Sequence, residues 1–142
     1  MDERAAGVLD EIVGNWVADP DSDVVYAEKV DGRLAVRMRQ QVREATTVWF
    51  AVGDLSLTAE AYVIPAPAHA EAAYRQALVR NGRSFRVNFA LDHEGALLLR
   101  GRIPLDRVTA LELSYLLAEI YETIEMSFRS LVALVLPREK LA

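Results

Sequence analysis

The chain contains no cysteine, which excludes disulfides, thiolate nucleophiles, iron–sulfur clusters and cysteine-ligated zinc. Histidine is nearly as scarce: His69 and His93 are the only two, too few for a histidine-rich transition-metal centre. No stretch of about 18 uninterrupted apolar residues is present, so no spanning helix and no membrane association are expected. The opening "MDERAAGVLDEIVGNW" is acidic and lacks a basic region followed by an apolar core, the pattern of a secretory leader. A cytoplasmic location is therefore expected. Positive charge is also in short supply overall. A net charge of -5 argues against a nucleic-acid partner, because such affinity comes mostly from neutralising phosphates. There is no G-x-G-x-x-G and no Walker A loop. Ser56, Ser84, Ser114 and Ser127 lack the G-x-S-x-G elbow of a nucleophile. No cofactor and no enzymatic activity are expected.

What remains is a chain of 142 residues, 52% hydrophobic and 26% charged, the composition of one folded domain over residues 1–142. Val8, Leu9, Ile12, Val13 and Trp16 recur at helical spacing. That helix should stop near Ala18, since Pro20 disfavours helical geometry at Asp19. The period then changes. Asp31-Gly32 separates two β-type runs, a type I′ hairpin signal, and Leu34, Val36 and Met38 alternate with Arg33, Ala35, Arg37 and Arg39. Val48 to Val52 and Leu55 to Ile64 give two more strands, completing a meander of four.

After Pro65 and Pro67 an alanine-rich helix carries Ala70, Ala73, Tyr74, Ala77 and Leu78 along one side, with Asn81-Gly82 as a left-handed stop. Phe85, Val87, Phe89 and Leu91 then alternate with Ser84, Arg86, Asn88 and Ala90, and Leu97, Leu99 and Ile103 alternate with Arg100 and Arg102. A final helix is expected from an Asp106 cap to Pro137, about eight turns long. This order predicts an α+β fold: a mostly antiparallel sheet of about six strands with helices packed on one face.

Two polar clusters invite a functional reading and fail it. Asp92, His93, Glu94 and Gly95 link two strands whose inward residues match in phase, so they read as a hairpin tip. "DPDSD" imitates the start of a calcium loop, but counting from Asp19 puts Val24 and Val30 where glycine and glutamate are required. No metal site is expected.

The less ordinary feature is arginine. Of sixteen basic residues only Lys29 and Lys140 are lysine, and Arg33, Arg37, Arg39, Arg86, Arg100 and Arg102 fall on outward strand positions. A shared sheet would carry them as a basic stripe, balanced in part by Glu28, Glu44 and Glu60. Guanidinium groups pair bidentately with carboxylates, so such a face suits an acidic peptide or partner helix. Trp49, Tyr62 and Leu98 occupy the same outward phase. The candidate partner-binding residues are thus Trp49, Tyr62, Arg37, Arg39, Arg86, Arg100 and Arg102. The alternative use of this face is sensing a small molecule or anion. Leu105, Leu111, Ile124, Phe128, Leu134 and Leu136 spread around the final helix, a surplus that self-association would bury.

The run "AAYRQALVRNGRSFRVNFALDHEGALLLRGRIPLDRVTALELSYLLAEI" resembles the YbjN-type proteins, described as sensory transduction regulators. The matching residues are Leu78 and Asn81, then Phe89, Leu91, Asp92, Gly95, Leu97 and Leu99, then Ile103 and Pro104. The resemblance implies the fold of type III secretion chaperones, α+β and commonly dimeric. It brings no catalytic residues. It implies a non-enzymatic interaction protein, a regulator or chaperone-like module, working as a homodimer that binds a protein or peptide partner.

Overall fold

A computed structural model describes residues 2–137; Met1 and residues 138–142, Lys140 among them, lie outside the described part. The chain runs α1 (Glu3–Ala18), β1 (Val24–Val30), β2 (Arg33–Arg39), β3 (Ala45–Val52), β4 (Ser56–Ile64), α2 (Ala70–Asn81), β5 (Val87–Leu91), β6 (Leu97–Pro104) and α3 (Ala110–Val132). The strands form one six-stranded sheet in the order β1-β2-β3-β4-β6-β5. Every neighbouring pair is antiparallel.

Local chemistry explains the element ends. The Asp2 carboxylate accepts the Ala5 N–H at 2.9 Å and opens α1. Asp19, extended before Pro20, closes it. Asp31 (φ 51°) and Gly32 (φ 77°) make the tight turn between β1 and β2, the geometry a two-residue hairpin demands.

The helices cover one face of the sheet. The α3 helix packs on β4 and β5, α1 on β1 and against α3, and α2 on β5. The core between them includes Val36, Met38, Phe50, Leu57, Leu99, Leu116 and Ile120, each at most 1% exposed. Gly101 sets the closeness of that packing. A Cβ there would stand 2.7 Å from Leu116 Cδ1 and 2.9 Å from Val87 Cγ1, so only glycine lets α3 settle this near β6.

Six local expectations need correction. The last helix begins at Ala110 and not at Asp106: Thr109 is its cap, its hydroxyl accepting the Glu112 N–H at 3.1 Å, while Asp106 sits in a preceding 3₁₀ turn. It also ends at Val132, short of Pro137. Gly82 is right-handed (φ -65°); Asn81 is there because its side chain bonds β5. Leu78 faces solvent, and so does Phe85, because β5 starts only at Val87. Of the apolar surplus assigned to the final helix, Ile124 is wholly buried, whereas Leu111 and Leu136 are exposed.

Candidate partner-binding face

Opposite the helices, the sheet exposes side chains in rows set by the register. One row reads Glu28, Ala35, Trp49, Glu60, Arg100 and Asn88 from β1 across to β5. Beside it lie Tyr26, Arg37 and Thr47, and then Tyr62, Leu98 and Ala90; Ala35 and Leu98 share this outward phase but are themselves buried beneath their neighbours. On the other flank Thr58 is opposite Arg102. Period-two alternation puts the residues of β2, β3, β4 and β6 here, since their strand neighbours are committed to the core, while in β1 a bulge between Val24 and Tyr26 resets the phase.

The face is chemically organised. The Arg33 guanidinium stacks 4.5 Å above the Trp49 ring centroid, a cation–π arrangement that restrains the indole. Arg100 Nε donates to Glu60 Oε1 at 2.8 Å, and Arg37 reaches Glu44 at 3.7 Å. The first pair is partly buried, whereas the second is solvent-exposed and adds little stability. Tyr26 donates its hydroxyl to Glu28 at 2.7 Å, and that hydrogen bond raises its pKa. Tyr62 is half exposed. Partial burial, then the carboxylates of Asp92 and Glu94, raise its phenol.

The structure thus brings Trp49, Tyr62, Arg37, Arg100 and Arg102 together on one surface. The other two candidates have local commitments. Arg39 donates to the Ser22 carbonyl at 3.0 Å beside the β1 edge. Arg86 turns toward α3, where Nε and Nη2 each donate to the Glu112 carboxylate at 3.2 Å. Arg86 still borders a shallow depression of about 340 Å³ on the open face, lined also by Asn88, Ala90, Arg100, Gly101 and Arg102. Arg102 has no ion-pair partner among the described residues.

The two polar clusters are turns. Asp92 Oδ1 accepts the N–H groups of Glu94 and Ala96, both at 2.9 Å, and Gly95 adopts φ 88°. Asp19 Oδ1 accepts the Asp21 N–H at 2.9 Å. No group of three or more His, Cys, Asp or Glu among the described residues could hold a metal ion.

Sequence reasoning missed three polar side chains that frame this architecture. Glu125 of α3 accepts Gln40 Nε2 at 2.6 Å, Gln41 N at 3.0 Å and Val42 N at 3.3 Å, fixing the β2–β3 loop. Burial pushes its pKa up, but these three donors prevail and hold it below the ordinary 4.5. Glu119 accepts the N–H groups of Arg86 and Val87, both at 2.7 Å, fixing the entry to β5. Arg43 donates to the carbonyls of Val63 at 2.9 Å and Tyr62 at 2.8 Å and lies 5.0 Å from the Phe128 ring centroid. Burial lowers its pKa. The only signal for the two glutamates was their place at the margin of the apolar stripe of α3; Arg43 gave none, because its partners are mostly backbone carbonyls.

Comparison with known proteins locates this arrangement. The family described as YbjN, "Putative bacterial sensory transduction regulator", matches residues 10–133. The uncharacterized protein ML2442 of Mycobacterium leprae is 34% identical over 103 residues, 72% of this chain and 56% of that protein. Mb0497 of Mycobacterium bovis is 34% identical over 84 residues, 58% of this chain and 46% of that protein. The chain therefore spans about half the length of the curated relatives it matches.

Among solved structures, the HopA1–SchA chaperone–effector complex contains a similar chain: TM-score 0.62, 13% identity, 92% of this chain and 98% of that one. YbjN from E. coli superposes with a TM-score of 0.60 at 16% identity, over 89% of this chain and 94% of that one. The ExoU–SpcU complex of the Pseudomonas aeruginosa type III secretion system gives 0.53 at 16% identity, over 92% and 99%. The fold is shared with secretion chaperones, and by its sequence the chain belongs to the YbjN family.

Proposed function

We propose that this chain is a non-enzymatic interaction module, chaperone-like or a regulatory adaptor, which holds a partner protein or peptide and works as a homodimer in the cytoplasm. We read residues 1–142 as a single domain. The observation that carries this reading is the uncovered sheet face, where Trp49 and Tyr62 stand among Arg37, Arg100 and Arg102. Aromatic and arginine side chains on one surface are the residue types that dominate interface energies, and the pinned indole has little entropy left to lose on binding. The occurrence of this fold in a chaperone–effector complex and in the ExoU–SpcU heterodimer supports it.

The test is capture from a lysate of the source cells, comparing the native chain with the double variant Trp49→Ala, Tyr62→Ala. A protein recovered in near-stoichiometric amount by the first and lost with the second supports the proposal. Recovery of only trace protein, or of the same protein by both, overturns it. Light scattering checks the oligomer: a strictly monomeric species at high concentration removes the homodimer.

The depression beside Arg100 and Arg102 favours a second reading, a sensor for a small anionic ligand. A library of anions in a thermal-shift assay separates the two, because a ligand specific for the native state raises its melting temperature. The shift should vanish in Arg102→Ala.

A further inference from the structure

A second exposed surface lies away from the open sheet face, where the α2–β5 connection meets α3. Phe85 is 82% exposed and Met126 68%, and both line one groove of about 260 Å³. Phe85 is not a loose side chain. The Arg86 guanidinium sits 4.8 Å from its ring centroid and 4.8 Å from that of Tyr115, and is itself tied to Glu112. The backbone beneath is held by Glu119. An apolar ring fixed at the surface with no chain over it is a ready-made binding anchor, its ordering cost already met within the subunit.

The groove has two unlike flanks. Arg80 and Arg83 border it from the α2 side, Glu119 and Glu122 from α3. Arg83 and Glu122 line the same groove, yet neither has an ion-pair partner among the described residues. A face with opposite charges on its two flanks is self-complementary in charge. A two-fold axis running along the groove between those flanks places the basic flank of one copy over the acidic flank of the other, which a symmetric, isologous contact requires.

We infer that the occupant of this face is a second copy of the same chain, docked through Phe85 and Met126 with Arg83 of each protomer opposite Glu122 of its partner. This rests on the homodimer reading above and adds to it the surface and the pairing. It also leaves the open sheet face of each protomer free for another protein.

Sedimentation velocity of the purified full chain tests the assignment. Phe85→Glu should weaken the dimer at least about tenfold with the thermal midpoint of the monomer unchanged. Arg83→Glu and Glu122→Arg should each weaken it alone, and mixing the two variants should restore dimers, because the mixed pair regains both opposite-charge contacts. A wild-type dimer that survives Phe85→Glu, or a mixture no tighter than its components, overturns the face while leaving the homodimer standing. A wild-type chain that stays monomeric overturns both.

Discussion

Asn81, the last residue of α2, holds both backbone groups of Phe89 in β5. Its Oδ1 accepts the Phe89 N–H at 2.7 Å, and its Nδ2 donates to the Phe89 carbonyl at 3.1 Å. Since β5 is an edge strand, these groups point away from β6 and would otherwise await another strand. Glu119 takes the outward N–H of Val87 in the same way.

Asn81→Ala should therefore cost about 1–3 kcal/mol, the penalty for leaving partly buried polar groups unpaired. Amide hydrogen exchange at Phe89 should accelerate more than at Leu99. Asn81→Asp should recover only part of the loss, because it keeps the acceptor but repels the carbonyl. Unchanged exchange at Phe89 in Asn81→Ala would contradict the cap.

Two glycine-to-alanine changes should have opposite signs. Gly101→Ala forces a methyl against Leu116 and Val87 and against the Arg86 carbonyl at 3.0 Å, and overpacking of this kind costs about 1–3 kcal/mol. Gly14 lies on the exposed side of α1 with no heavy atom within 4 Å of an added Cβ. There alanine should stabilise by up to about 1 kcal/mol. Urea denaturation of the pair reads both effects.

The acid limb of the stability curve should carry the signature of Glu125. Its carboxyl is held below 4.5 in the folded chain, so its contribution is complete above pH 4.5 and is lost as pH falls through the depressed value. Glu112 acts in the same direction, its pKa lowered chiefly by its hydrogen bond from Arg86. Glu125→Gln should lower the urea midpoint at pH 7, fall less steeply below pH 4.5, and converge with the native chain in acid. Parallel curves would show that the loop clamp does not depend on charge.

Arg43→Met should lose about 1–3 kcal/mol, because the partly buried Val63 carbonyl keeps its burial and loses a charged donor, and the exposed Tyr62 carbonyl loses one too. Arg43→Lys should recover no more than about half. A point-charge ammonium cannot serve both carbonyls and the Thr46 hydroxyl, which Arg43 also reaches at 3.0 Å.

How much of this was legible follows from where each interaction sits along the chain. The β1–β2 turn was written in Asp31-Gly32, and the two faces of β2 in its alternation of Leu34, Val36 and Met38 with Arg33, Arg37 and Arg39. The same alternation placed Trp49, Tyr62, Arg100 and Arg102 outward. It failed at Arg86, which precedes β5 and is drawn off by Glu112, 26 residues away. It failed at Phe85 for a related reason: Glu119 fixes where pairing begins. The start of α3 was misplaced because Asp106 and Thr109 are both sound caps, and only the intervening 3₁₀ turn decides between them. Long-range carboxylate clamps leave no periodic trace.

Those clamps also bear on how the chain assembles. Glu119 and Glu125 secure the connections before β5 and β3, yet both are made after every strand. During synthesis the sheet can pair while its loops still lack their acceptors, and β4 must wait through α2 and β5 for β6. Such non-local closure slows folding. Completion falls to the arrival of α3, so an early stop codon upstream of Glu119 would leave paired hairpins with a bare apolar underside, a form destined for chaperones and proteases.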